Sequence, residues 1–205
     1  AKPEDKMTVF AVLMRLREIC CDPRLVADNW TGSSAKLEAC LELVTEAVAG
    51  GHRILLFSQF TSMLELLAKR LDEAGVSHFT LQGSTPKPVR AEQVRRFNQG
   101  EADVFLISLR AGGTGLNLTA ADIVIHYDPW WNLAAQNQAT DRAYRIGQRN
   151  PVQVYRLIAQ DTIEEKIVEL QQAKQSLADT VTGGADGAIL SMNPEQLLQL
   201  LGEEA

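Results

Sequence analysis

Cysteine is scarce in this 205-residue chain, three in all. They are Cys20, Cys21 and Cys40, with no C-x-x-C spacing, so neither a zinc knuckle nor a disulfide framework is indicated, and reduced, buried thiols are expected. Histidine is equally scarce: His52, His78 and His126 stand singly beside apolar runs, and no metal site is expected. No apolar run reaches the roughly 18 residues of a membrane span. The opening Ala1-Lys2-Pro3-Glu4-Asp5 lacks the apolar stretch of a secretory signal. No repeat recurs at a period of about 20–50 residues. Three signatures are also missing. The chain has no G-x-x-x-x-G-K-[ST] phosphate loop, no G-x-G-x-x-G dinucleotide fingerprint and no G-x-S-x-G nucleophile elbow. The last two absences argue against a stand-alone Rossmann-type enzyme and a serine hydrolase. A net charge of −6 argues against coating nucleic acid over the whole surface, while leaving a local basic patch open.

What is present is ordinary in bulk and unusual in arrangement. Hydrophobic residues at 45% and charged residues at 22% are enough for a sizeable core. Residues 7–20 predict a helix with Val9, Leu13, Leu16 and Cys20 on its apolar stripe and Arg15, Arg17 and Glu18 off it. Cys21-Asp22-Pro23 ends it. Ser34 predicts an N-cap for a helix carrying Leu37, Leu41, Val44 and Val48 to Gly50-Gly51. Arg53 to Ser58 is short and continuously apolar, as a strand buried on both faces would be. Ser62 to Glu65 reads as a capping box opening a helix to Gly75. Ser77 to Leu81 predicts a strand, Val89 to Asn98 a helix with Arg90, Arg95 and Arg96, and Asp103 to Ser108 a strand. Arg110 to Asn117 reads as a glycine-rich loop. Ile123 to Tyr127 and Val152 to Ile158 are further strands. Thr162 to Glu165 is a second capping box, opening a long helix to about Leu177 with Ile163, Ile167, Leu170 and Lys174 in step. Residues 182–187 have linker composition, and 193–201 predict a short apolar-faced helix.

Strands alternating with helices predict a three-layer α/β sandwich with a mostly parallel sheet. Ligands on such sheets gather at the carboxyl ends of the strands. The segments leaving those ends begin at Gln59, Gln82, Arg110 and Asp128. The last is the most unusual: Asp128-Pro129-Trp130-Trp131-Asn132, then Gln138 to Gln148. Asn132 predicts an N-cap and Leu133 to Arg145 a helix. Asp141/Arg145 and Gln138/Arg142 are four apart, and Arg142/Arg145 three apart, so both arginines share a face. They either grip one anion together or pair on the surface with Asp141. Of the two tryptophans, one is expected buried and the other exposed. Gly112-Gly113-Thr114-Gly115 either cradles phosphate with backbone N–H groups or simply makes a turn.

Five stretches in order resemble one family: Ile54 to Phe60, Leu81 to Ser84, Ser108 to Leu118, His126 to Asn132 and Gln138 to Gln148. They are similar to motifs IV to VI of the SWI/SNF family, helicase-like superfamily-two ATP-dependent DNA translocases, in its bacterial form. The resemblance covers about residues 7–178. It implies a RecA-like (P-loop NTPase-like) second helicase lobe, spanning 34–160, with a helical lead-in over 1–33, a brace helix over 161–180, and a linker and tail helix over 181–205. It implies arginine fingers at Arg142 and Arg145, coupled to the γ-phosphate by Gln138. Gly113, Gly115, Asn117 and Asp141 would lie near ATP, whose Mg2+ is held mainly by a first lobe. Gln59, Ser84, Arg110 and Trp131 would contact double-stranded DNA. The implied partners are that DNA, the N-terminal RecA-like lobe of the same protein, and RNA polymerase or other nucleoid proteins, in the cytoplasm. The lobe alone is expected to be inactive, since the Walker A and D-E-x-H motifs are absent. An ATP-independent DNA-binding or regulatory module is the alternative. Two positions depart from the family pattern: Leu133 stands where proline is frequent and Asp22 where histidine is frequent.

Overall fold

The computed structural model describes residues 3–112, 116–143 and 151–178. The expected linker and tail helix, and Tyr144 to Asn150, lie outside the described residues. Among the described residues five strands form one parallel sheet: β1 (Ile54–Ser58), β2 (His78–Leu81), β3 (Val104–Ser108), β4 (Ile123–His126) and β5 (Gln153–Arg156), in the order β2-β3-β1-β4-β5. β1, β3 and β4, flanked on both sides, are buried along their whole length, which explains their unbroken apolar sequences. The edge strands β2 and β5 are more open.

Alternation along β1 divides the core. Ile54 and Leu56 face a cluster built with α2 (Ala35–Ala49) and α3 (Thr61–Glu73). Leu55 and Phe57 face the opposite cluster, with Phe97 of α4 (Lys87–Asn98), Ala111 of the single turn α5 (Leu109–Gly112), and Ala139 of α6 (Leu133–Thr140). The chain leaves β1 toward β2 but afterwards always moves the other way across the sheet. Right-handed crossovers in opposite directions must lie on opposite faces, and α3 and α4 do. A third cluster sits beside these layers. Leu13 of α1 (Pro3–Cys21) meets Ile163 and Ile167 of α7 (Ile163–Ala178) there, with Trp131 against them. Lys36 reaches α7 through a buried ion pair with Glu164 at 2.6 Å.

Several sequence expectations need correction. The buried line of α1 is Leu13, Arg17 and Cys21, so Arg17 is core-facing although charged. α3 starts at Thr61 after Phe60, without a side-chain cap, so Ser62 to Glu65 is not its capping box. α4 starts two residues before Val89, because Pro86 and Pro88 suit the helix start. Arg110 begins no loop: Leu109–Gly112 is helical. At α7 the Thr162 hydroxyl accepts from Glu164 N–H, but Glu165 accepts from Asp161 N–H, one residue earlier than a capping box requires. Asp22, which stands where histidine is frequent, caps the 3-10 turn Pro23–Leu25 and pairs with Arg24 at 2.8 Å. Ser34, as expected, caps α2, and Gly51 takes φ +80° just beyond its end, where glycine meets no Cβ penalty. Leu133 starts α6 without the family's proline, because Asn132 supplies the cap by accepting from Ala135 N–H at 3.1 Å.

His126 ends β4 inside the second cluster. Its ring stacks on Phe57 at 5.5 Å, and Trp130 stands edge-on to it at 5.9 Å. Nε2 lies 2.8 Å from the Thr140 hydroxyl, and Nδ1 has no partner among the described residues. Burial, helped by the charge of Arg156 on the paired strand, pushes this imidazole down to about 3. A folded-state pKa below the unfolded value means the unfolded chain takes the proton first. Stability is therefore complete above pH 6.5 and declines as pH falls toward about 3. His126→Gln should flatten that decline by about 1 kcal/mol per pH unit between pH 6 and 4, measured by urea denaturation against the parent chain; identical pH profiles contradict it.

Candidate nucleic-acid and nucleotide interface

A parallel sheet brings all its strand exits to one edge. Reading across it from β2 to β4, the exit segments carry Ser84, Arg110, Gln59 and Trp131. The chain departs from β1 to one face and from its neighbours β3 and β4 to the other. The crossovers thus change face on either side of Gln59, and open α/β sheets take ligands at such points. Ser84 is exposed in the turn before α4, Gln59 is half-buried, and Arg110 stands on α5. The turn around Ser84 is held from α4, where the Arg90 guanidinium donates to the carbonyls of Thr85 and Gln82 at 3.3 and 3.5 Å. All four sequence-chosen residues thus share one row.

The β4 corner is held from four directions. Asp128 is fully buried, with the Ser58 hydroxyl donating to it at 2.6 Å and the Gln59 N–H at 3.2 Å. Arg17, buried from α1, places its guanidinium 3.7 Å from the same carboxylate and donates to Pro129 O at 2.8 Å and to Gln59 Oε1 at 2.7 Å. Burial pushes the Asp128 carboxyl upward, and the Arg17 charge and the Ser58 hydroxyl pull against it. The guanidinium also lies 5.1 Å from the Trp131 ring centre and 5.4 Å from that of Phe60. From α6, Gln136 accepts from Trp130 N–H at 3.2 Å, and from α7 the Gln171 amide donates to Trp130 O. Trp130 is 2% exposed, as one of the pair was expected to be. Trp131 is half-buried rather than exposed, because α1 and α7 flank it. Its indole N–H is covered, with no acceptor among the described residues, so the ring offers carbon surface rather than a donor.

Sequence reasoning missed Arg17, Gln136 and Gln171. Arg17 had a readable signal, since it lies four residues from Leu13 and four from Cys21, on one helical line. The two glutamines had none, because they satisfy backbone groups of a corner whose shape is tertiary.

The second group of candidates lies behind the corner. α6 ends at Thr140 and Asp141 to Ala143 form a turn, so the single helix expected through Arg145 is not continuous. Gln138 and Asp141 are exposed. Arg142 is 2% exposed, and its carbonyl accepts from Leu118 N–H at 3.3 Å. That bond sets the arginine turn beside Asn117, itself exposed and tied through its carbonyl to the Asn98 amide at 2.8 Å. Asn117 and Arg142 are thus brought together. Gly113, Gly115 and Arg145 lie outside the described residues. Among the described residues no group of three His, Cys, Asp or Glu side chains is placed to hold a metal ion, and no helix is long and apolar enough to cross a membrane.

Comparison with known proteins agrees with this fold. The model of the helicase conserved C-terminal domain matches residues 35–147. The chain is 41% identical over 201 residues to the putative ATP-dependent helicase/translocase YwqA of Bacillus subtilis, covering 95% of this chain and 22% of that protein. It is 39% identical over 198 residues to an uncharacterized ATP-dependent helicase of Mycoplasma pneumoniae, covering 96% of this chain and 19% of the relative. The chain therefore spans about a fifth of the length of these relatives. Among solved structures, the Sulfolobus solfataricus SWI2/SNF2 ATPase C-terminal domain superposes with a TM-score of 0.77 at 28% identity, covering 98% of this chain and 83% of that one. The strand order and these matches have one conclusion: the chain belongs to the helicase C-terminal domain family and has the fold of the SWI2/SNF2 ATPase C-terminal domain.

Proposed function

We propose that this lobe is half of an ATP-driven translocase on double-stranded DNA. In this reading the row Ser84, Arg110, Gln59 and Trp131 follows the DNA backbone, and Arg142 and Arg145 serve the ATP bound by a preceding lobe. The single observation that supports it best is that row: four residues from four separate strand exits fall in line along one edge. Residues 34–160 form the lobe proper, 1–33 lead in, 161–180 brace it, and 181–205 extend beyond. The missing Walker A and D-E-x-H motifs, and the Mg2+ ligands, come from the other lobe, so this lobe alone hydrolyses nothing. Nucleoid association, with RNA polymerase or other nucleoid proteins as partners, belongs to the same proposal.

The chemistry needed here is modest. Water attacks the γ-phosphate in line, charge spreads over its equatorial oxygens, and ADP leaves with its electron pair on the bridging oxygen. A guanidinium delivered across the cleft stabilises that charge. Gln138 and Asp141, both exposed at the same turn, orient the arginines, while Gly113, Gly115 and Asn117 line the nucleotide side. Arg142 is 2% exposed, so it reaches a phosphate only when the turn after α6 opens. That burial is also the observation that favours the second reading, a DNA-binding or regulatory module with no ATP site.

Two measurements separate these readings. In the two-lobe protein, Arg145→Ala should lower DNA-stimulated ATP hydrolysis by about 10³-fold, the usual contribution of such a finger; a loss below about tenfold sinks the finger role. Half-stimulation by duplex DNA should demand several-fold more DNA at about 200 mM than at about 50 mM salt, because backbone contacts release counterions. Duplex DNA bound by the two-lobe protein with no ATP hydrolysis, with or without that DNA, would remove the motor reading and leave the second.

A further inference from the structure

We infer that Arg17, a residue of the helix preceding the sheet, is the positioning residue of the DNA-facing corner. This deepens the translocase reading and rests on it. The contacts are all from one side chain. Nη2 donates to Gln59 Oε1 at 2.7 Å and to Pro129 O at 2.8 Å, and the guanidinium underlies the Trp131 ring at 5.1 Å. A neutral amide has one acceptor oxygen and a nitrogen with two donors. Because Arg17 takes the oxygen, Gln59 is turned so that its donor nitrogen has no partner among the described residues. A donor at a strand exit, beside a half-buried tryptophan, fits an acceptor ligand such as a phosphodiester oxygen. Arg17 thus decides which end of Gln59 DNA meets, and it holds Trp131 at the same time.

The link has a second consequence. Trp131 packs among residues of α1 and α7, and Gln171 of α7 donates to the Trp130 carbonyl. The corner is therefore fixed by the two helices that bracket the sheet in sequence, rather than by the sheet alone. Arg17 is buried beside Asp128, so its outright removal threatens folding. Arg17→Lys keeps the charge next to the carboxylate and loses the planar guanidinium under the ring. Gln59→Glu keeps the acceptor for Arg17 and replaces the outward donor by a second acceptor.

The test uses the two-lobe protein and reads DNA-stimulated ATP hydrolysis against duplex DNA concentration. Arg17→Lys should raise the DNA concentration for half-stimulation by about tenfold and change the maximal rate by less than about twofold. In a Trp131→Ala background the same change should add less than about twofold, since both act through one contact. Gln59→Glu should raise the half-stimulation concentration while leaving the melting temperature equal to or above the parent's. Multiplicative effects of Arg17→Lys and Trp131→Ala, or a Gln59→Glu protein with unaltered DNA dependence, overturn the positioning role while the translocase reading stands. A Trp131→Ala protein with unaltered DNA dependence removes the DNA-facing corner itself, and the inference falls with it.

Discussion

A guanidinium and a carboxylate, both withdrawn from water, set the geometry on which the strand-exit corner depends. Arg17 and Asp128 lie 3.7 Å apart with side chains 1% exposed. A buried pair of this kind contributes little net stability, since desolvation cancels most of the attraction. What offsets the rest is the company each charge keeps. The carboxylate accepts from Ser58 and from the Gln59 N–H, and the guanidinium donates to Gln59 and Pro129 and meets two aromatic faces. Losing either charge would leave the other buried and uncompensated, at a cost of about 3–5 kcal/mol. The pair is thus better understood as a constraint on geometry than as a source of stability. It fixes where β1 and β4 release the chain, and so where Gln59 and Trp131 stand.

The sheet supplies the rest of the arrangement. Because every strand runs the same way, every exit opens on one edge. Because the first crossover leaves β1 in the opposite direction from the later ones, the crossovers change face on both sides of Gln59. The arginine turn lies behind the same corner: α6, Leu133–Thr140, is the segment between Trp131 and Arg142, and Gln136 ties it to Trp130. One eight-residue helix therefore separates the tryptophan corner from the arginine turn.

The layers of the fold were legible because their causes are local. Unbroken apolar runs at Ile54 to Ser58 and Val104 to Ser108 mark flanked parallel strands, and Ser34 and Asn132 mark helix starts by their capping oxygens. The candidate row was legible through the ordered motifs and the rule for strand exits. What escaped the sequence is tertiary. Arg17 looked like a solvent-facing charge because a single side chain does not announce its partners 42 and 112 residues away. Gln171 carries no local signal, since its partner is the Trp130 carbonyl 41 residues away. The length of α6 was overestimated because residues through Arg145 keep helical spacing, yet Asp141 closes the helix and the Leu118–Arg142 backbone bond turns the chain aside. The half-burial of Trp131 follows from two helices remote in sequence, one before and one after the strands.

The central claim is that the edge holding Ser84, Gln59 and Trp131 is the surface on which DNA lies. Amide hydrogen exchange of the two-lobe protein, with and without duplex DNA, examines it most directly. The account predicts added protection at 59–60, 83–85 and 130–132 together, with α2 and the rest of its face of the sheet unchanged. Protection confined to other surfaces, with those three segments exchanging as in the free protein, would contradict it.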